Sequence, residues 1–185
     1  MKRIFIAIKI DPGETLLRIH YSLRSLLGGE RIKWVDTTNI HLTLAFLGDT
    51  EEDRITVASI LLKQECSGFG EFRFNLSGTG VFRNFSDPKI LWIGINESEK
   101  LIRLNDEIKR GLDDTGFKTE DRAFSPHITI GRIKFIKDPG ALREALEPYK
   151  NTFIQEVVAA EVILFESILK PSGPEYRAVG RFRLT

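Results

Sequence analysis

The chain has 185 residues, of which 42% are hydrophobic and 29% charged, and its net charge is +1. That is enough chain to bury a sizeable core, but the near-neutral balance supplies no global field for a polyanion, so any nucleic acid must be held by a local patch. A single cysteine, Cys66, excludes an intrachain disulfide and a thiolate metal cluster and fits a reducing cytoplasm, and no apolar run reaches the roughly 20 residues that cross a bilayer.

Met1-Lys2-Arg3 followed by an apolar run has the order of a secretion signal. Lys9 interrupts the run and no small-residue cleavage site follows, so residues 3–10 read as a buried strand. A helix is expected over 12–27, ended by Gly28-Gly29 as a left-handed cap. Within it His20 lies among Leu16, Ile19 and Leu23 at helical spacing and reads as a residue at the core edge. Strands follow over 32–35 and 40–47. A helix over 51–63 is opened by Asp49, Thr50 or Glu51, and a strand over 72–82 comes next. Asn84 to Pro88 turns the chain into a strand over 89–95, before a helix over 97–112 and a strand over 125–135. Asp138-Pro139 starts a helix over 139–149, and strands over 157–167 and 177–184 flank the turn Lys170-Pro171-Ser172-Gly173-Pro174. Strands joined by tight turns and separated by helices predict an α+β fold: two mainly antiparallel sheets facing a cleft, with helices on the outer faces.

Two of the three histidines stand in one frame, His41-Leu42-Thr43-Leu44 and His127-Ile128-Thr129-Ile130. In a strand, residues two apart share a face. Each frame therefore offers an imidazole and a hydroxyl on one side and buries aliphatic side chains on the other. Eighty-six residues separate the histidines, and the same interval separates the apolar runs that begin at Ile4 and Ile90. The order strand, helix, motif strand, helix occurs twice, which marks an internal duplication within one domain, 1–185, of two similar lobes.

Two imidazoles across a cleft form a general acid–base pair, because unperturbed histidine titrates near ~6.5 and one neutral and one protonated ring can coexist. Such a pair activates a nucleophile on one side of a phosphorus and protonates a leaving oxygen on the other. The threonine hydroxyls are placed to donate to the non-bridging oxygens, and a β-branched residue on a strand holds its hydroxyl still. Zinc is the competing chemistry, but a third ligand is wanting. No Gly-x-Ser-x-Gly elbow marks a serine nucleophile. Buried strand histidines bonded to backbone are the bland alternative, and a non-catalytic phosphate-binding module is the other.

The stretch Trp34-Val35 with Asn39 to Gly48, and the stretch Phe124 to Arg132, resemble the two signatures of the 2H phosphoesterases. Arg3 to Ala7, Leu164 to Ser167, Gly173 and Tyr176 resemble one branch of them, the RNA 2′,3′-cyclic phosphodiesterases, also called 2′-5′ RNA ligases, of bacteria and archaea. The resemblance implies a bilobal, pseudo-two-fold fold and hydrolysis of a 2′,3′-cyclic phosphate at an RNA end to a 2′-phosphate. It also implies reversible, ATP-independent 2′-5′ joining at the same site, with no cofactor or metal. By analogy His127 is the base and His41 the acid, Thr43 and Thr129 hold phosphate oxygens, and Arg132 contacts the phosphate. It leaves open whether the substrate is a transfer-RNA half, a short oligonucleotide or a mononucleotide. A monomer with no membrane or obligate protein partner is expected.

Strict alternation puts Arg132 on the face opposite His127 unless Gly131 hosts a bulge. Phe46 has the wrong parity to share the face of His41 and is expected in the core, as is Trp34. Pro126 fixes the entry to its strand. Arg83, Arg122, Lys134 and Lys33 are candidates for an RNA backbone patch.

Overall fold

The opening apolar run, unbroken by glycine or proline, forms strand β1 (Lys2–Lys9) with five successive buried residues. The computed structural model describes residues 1–96, 98–119, 123–171 and 173–185. After β1 come α1 (Glu14–Leu26), β2 (Arg31–Trp34), a 3-10 turn (Thr37–Asn39), β3 (His41–Thr50), α2 (Glu52–Cys66) and β4 (Phe72–Phe82). The second half continues with β5 (Ile90–Ile95), α3 (Glu99–Asp114), β6 (His127–Phe135), α4 (Pro139–Leu146), a 3-10 turn (Glu147–Tyr149), β7 (Phe153–Ala159), β8 (Glu161–Lys170) and β9 (Gly173–Arg183).

Capping chemistry sets several of these ends. Glu51, one of the three expected openers, stands at the N-cap of α2 without a side-chain cap hydrogen bond. Asp138 Oδ1 accepts from the N–H groups of Gly140 and Ala141, and Pro139 needs no donor partner in the first turn of α4. Ser98 Oγ accepts from Leu101 N–H at 3.3 Å, so α3 begins at Glu99. The expected start at Glu97 lies outside the described residues, as does Ser172 of the last turn. The first helix corrects its expected cap: neither Gly28 nor Gly29 has a positive φ. Gly28 N–H instead bonds Ser25 O at 3.3 Å and tightens the last turn.

The nine strands among the described residues join one antiparallel sheet in the order β7-β4-β5-β6-β3-β1-β8-β9, with β2 added beside β6. The expected two sheets are thus one. The junction is narrow: β3 and β6 pair only at Leu42 and Ile128. These two residues hold the same place in the duplicated frame, so the pairing lies on the axis relating the halves. Joining there satisfies backbone groups that two separate sheet edges would leave open.

The strand order is also crossed over. β4, from the first half, pairs with β5 of the second. β8, from the second half, pairs with β1 of the first. Each half therefore completes the other's sheet. The single strand expected over 157–167 is two strands, β7 and β8, separated by Ala160. The apolar pattern runs on through the break because both strands are buried, and only the change of partner reveals it. In a flat sheet six strand spacings of about 4.8 Å would separate β7 from β8, whereas two residues span at most about 7 Å. The sheet is bent back on itself, and one core, drawn from all four α-helices and the inner face of both halves, fills the bend. The histidines lie on the other face.

Candidate functional site

Leu42 and Leu44 are 1% and 7% exposed, and Ile128 and Ile130 both 0%. Burying these four residues turns His41, Thr43, His127 and Thr129 to the open face, where all four are partly exposed. The antiparallel register fixed by Leu42 and Ile128 sets His41 across from Thr129, and Thr43 across from His127. Imidazoles and hydroxyls thus alternate around the junction.

Both rings are held in the same way. His41 Nδ1 lies 2.7 Å from Asn39 O, and His127 Nδ1 lies 2.7 Å from Ser125 O. A carbonyl only accepts, so each Nδ1 carries the proton and the tautomer is fixed. Around His41 stand Phe5, with centroids 5.0 Å apart, and the edge of Tyr176 at 5.2 Å. Asn39 Nδ2 donates to Pro174 O at 3.0 Å and ties the start of β9 to this ring. Around His127 the edge-on partner is Phe82 at 4.6 Å, itself 5.8 Å from Trp92. Gly80 makes room for that indole, since a Cβ would lie 2.3 Å from Trp92 Cζ2.

Burial, above all, holds the His41 pKa below its ordinary value. The Asn39 carbonyl opposes the shift, while the Arg132 and His127 charges add to it. Burial pushes the Tyr176 hydroxyl upward, against Arg132 and Arg3. The Arg132 charge acts in both shifts.

The parity difficulty is resolved by a bulge. Leu91 pairs with Gly131 and Trp92 with Thr129, leaving Ile130 as the extra residue. Ile130 and Gly131 both turn inward, and Arg132 and Lys134 turn out. A Cβ on Gly131 would meet Ile32 Cγ2 at 2.9 Å. The first half does likewise: Ile6 pairs with Ala45 and Ala7 with Thr43, so Leu44 is the extra residue. This corrects the expectation for Phe46, which is 52% exposed and stacks toward Phe5 on the open face. Phe46 and Arg132 are therefore mates, one after each bulge.

One bulged carbonyl is held directly by a helix side chain, the other by a backbone N–H whose own residue a helix side chain holds. Buried Asn105 on α3 donates through Nδ2 to Leu44 O at 2.8 Å. On α1, His20 Nε2 donates to Val35 O at 3.0 Å, and Val35 N–H donates to Ile130 O at 3.0 Å. His20 occupies the sixth place after Glu14, and Asn105 the sixth after Glu99, which are the first residues of their helices. The sequence marked His20 as a core-edge residue and overlooked Asn105; the shared helix position was the available signal.

The remaining candidates separate. Trp34 packs against the main core, as expected. Arg83 is ion-paired with Asp87, which Lys89 also meets at 2.5 Å. Lys33 lies directly across from Arg132 on β2. Arg122 lies outside the described residues. Pro126 immediately precedes β6. Sequence reasoning assigned no role to Phe5, Phe82 or Trp92, whose strands read only as apolar. Among the described residues no three His, Cys, Asp or Glu side chains are grouped to hold a metal, and no helix is long and apolar enough to cross a membrane. A recess of about 480 Å³ elsewhere, beside Lys9, Asp11, Glu161 and Arg181, contains no imidazole, and these four charges pair with one another.

A family described as LigT-like phosphoesterase matches the chain twice, over residues 8–92 and 93–176. The RNA 2′,3′-cyclic phosphodiesterase of Thermotoga maritima is 32% identical over 177 residues, spanning 96% of this chain and 92% of its own. The protein of the same name from Aquifex aeolicus is 38% identical over 156 residues, spanning 82% and 81%. A crystal structure of a Thermus thermophilus protein superposes with a TM-score of 0.82 at 26% identity, covering 98% of this chain and 97% of that one.

Proposed function

The chain belongs to the LigT-like phosphoesterase family, and we propose that it is a metal-independent phosphodiesterase that opens the 2′,3′-cyclic phosphate of an RNA end to a 2′-phosphate. The observation that carries this reading is the matched pair of imidazoles. Both have the Nδ1 proton committed to a carbonyl two residues back, so proton exchange with a substrate falls to Nε2 in each ring. A pair meant only to bind phosphate needs no such control of tautomer, and arginine or lysine would serve it better.

In the proposed reaction His127 Nε2 takes a proton from water as the oxygen bonds to phosphorus. The bond from phosphorus to O3′ breaks, and O3′ takes its proton from His41 Nε2. The products are a 2′-phosphate and a free 3′-hydroxyl, and solvent resets the two rings. Thr43, Thr129 and Arg132 hold the non-bridging oxygens, where negative charge concentrates. Burial draws His41 toward its neutral form. The entering phosphate offsets the Arg132 charge and so favours the protonated ring that the acid role requires. A ribose 5′-hydroxyl in place of water gives a 2′-5′ linkage by the same steps. That joining is reversible and needs no ATP, because one phosphodiester bond replaces another.

On this reading residues 1–185 act as one domain and as a monomer, with one motif strand from each pseudo-symmetric lobe. The compartment is a reducing cytoplasm, consistent with a lone, buried Cys66 whose thiol burial pushes up to about 12. The test is incubation with an RNA oligonucleotide ending in a 2′,3′-cyclic phosphate, in excess chelator, followed by chromatography. A 2′-phosphate product is expected. Activity lost in chelator and restored by zinc would replace the mechanism with a metal-assisted one. RNA bound without product would leave a binding module.

A further inference from the structure

Among the described residues, strand β2 has no counterpart in the second half. The described residues at the corresponding place in the second half, 117–119, are not strand. β2 runs along β6 just beyond the point where β3 leaves it, on the edge away from β5, and this ribbon at the sheet's edge turns one exposed face outward. That face carries Arg31 and Lys33 from β2 and Arg132 and Lys134 from β6, all exposed. Lys33 lies opposite Arg132, and Arg31 lies opposite Phe135. Residues directly opposite share a face, and residues two apart on a strand are about 6.6–6.8 Å apart. That spacing is close to the separation of successive phosphates in an extended single strand.

The acids flanking this ribbon are engaged elsewhere. Glu30 accepts from the backbone N–H groups of Lys137 and Asp138. Asp36 caps the 3-10 turn by accepting from Thr38. Asp87 is closed upon Arg83 and Lys89. No carboxylate among the described residues forms an ion pair with Arg31, Lys33, Arg132 or Lys134, although surface cations elsewhere, such as Lys2 and Arg73, are paired. Among the cations stands Phe135, 54% exposed. Cations interleaved with an exposed aromatic ring are what an extended single-stranded nucleic acid needs, a charged line for its backbone and a platform for a base.

We propose that the β2–β6 ribbon is the track for the RNA backbone upstream of the cyclic phosphate, which makes the substrate class a single-stranded oligonucleotide and not a mononucleotide. The inference rests on the phosphodiesterase reading above. Arg132 joins the two regions: the bulge at Ile130 turns it to the open face that carries His127, and its backbone pairs with Lys33 on the track. The chain of phosphates leaves the cleft at Arg132 and passes Lys33, Lys134 and Arg31.

The test uses RNAs of one, two, four and six nucleotides, each ending in a 2′,3′-cyclic phosphate. For the unaltered protein kcat/KM is expected to rise with length. In the double variant Lys33→Ala/Lys134→Ala, kcat/KM falls on the order of tenfold for the six-nucleotide RNA and stays unchanged for the mononucleotide. The log–log salt dependence of RNA affinity also becomes shallower, by about 1.4 for two lost phosphate contacts. Equal losses at every length, or no dependence on length in the unaltered protein, overturn the track. If no cyclic phosphate of any length is turned over, the phosphodiesterase reading fails, and the salt slope alone then decides for or against the track.

Discussion

The two halves share a frame and diverge at its edge. Each has a motif strand with an imidazole tied to a carbonyl two residues back. Each also has an extra residue in that strand, its carbonyl held by Asn105 in one case and by Val35, itself bonded to His20, in the other. After the bulge the first half presents Phe46 and the second Arg132. The first half also adds β2, which lends its cations to β6 of the second. On the proposed reading, symmetry is kept where two matched groups are needed around one phosphorus, and lost where a substrate with two different ends must be oriented.

The sharpest way to break this comparison is to remove one imidazole at a time. His41→Ala and His127→Ala are each expected to lower kcat by roughly 10²–10⁴-fold, because proton transfer to and from the reacting oxygens serves different bonds in one reaction. Thermal denaturation should show both variants folded. If either variant keeps full turnover, the acid–base pair is not the machinery of this site.

Next in size is the mate pair Phe46 and Arg132. A hydrogen bond to a charged group is worth about 1.5–3 kcal/mol, so Arg132→Ala should weaken inorganic phosphate and cyclic phosphate alike by about ten- to a hundredfold. Phe46→Ala should leave inorganic phosphate affinity unchanged, since the ring has no donor to offer. Isothermal titration with phosphate separates the two. Equal losses would mean that the asymmetry after the bulges has no bearing on the phosphate.

Much of this frame was legible in the chain. Alternation around His41 and His127 assigned the buried and open faces of both strands, and the 86-residue interval exposed the duplication. What alternation misplaced were Phe46 and, in its strict form, Arg132. A bulge adds one residue and reverses parity, and nothing local at Leu44 announces it; only Gly131 hinted at its mate. The junction of the sheets at Leu42 and Ile128, and the change of partner at Ala160, depend on contacts between distant segments. An apolar run carries no record of which strand lies beside it.

The bulges themselves give the third test. Asn105→Leu removes the donor to Leu44 O within the core, and an unsatisfied buried carbonyl costs about 1–3 kcal/mol. The expected result is a lower midpoint in chemical denaturation with an unchanged slope. Asn105→Asp should not restore stability, because a carboxylate has no proton to donate. If Asn105→Leu is as stable as the parent, the Leu44 bulge does not depend on the helix beneath it.

The smallest effect comes from the difference between the two residues that hold the bulges. Asn105 does not titrate, and His20 does. His20 is 1% exposed, donates through Nε2 to Val35 O, and has Nδ1 buried with no partner among the described residues. Protonation at Nδ1 would place a charge in that apolar setting. Burial accordingly holds the His20 pKa below its ordinary value, with the Val35 carbonyl and Asp36 opposing and Arg24 assisting. A histidine whose folded pKa is lowered contributes stability that is complete above its unfolded pKa of about 6.5 and is lost as pH falls through the folded value. His41 shifts in the same direction, so both rings resist acidification. Melting temperature should therefore decline as pH drops below about 6.5, and His20→Asn, which borrows the amide of the other half, should make that decline shallower. Asn105→Leu should lower stability by the same amount at every pH in that range. An unaltered pH slope in His20→Asn would show that the Ile130 bulge is held without regard to the charge on His20.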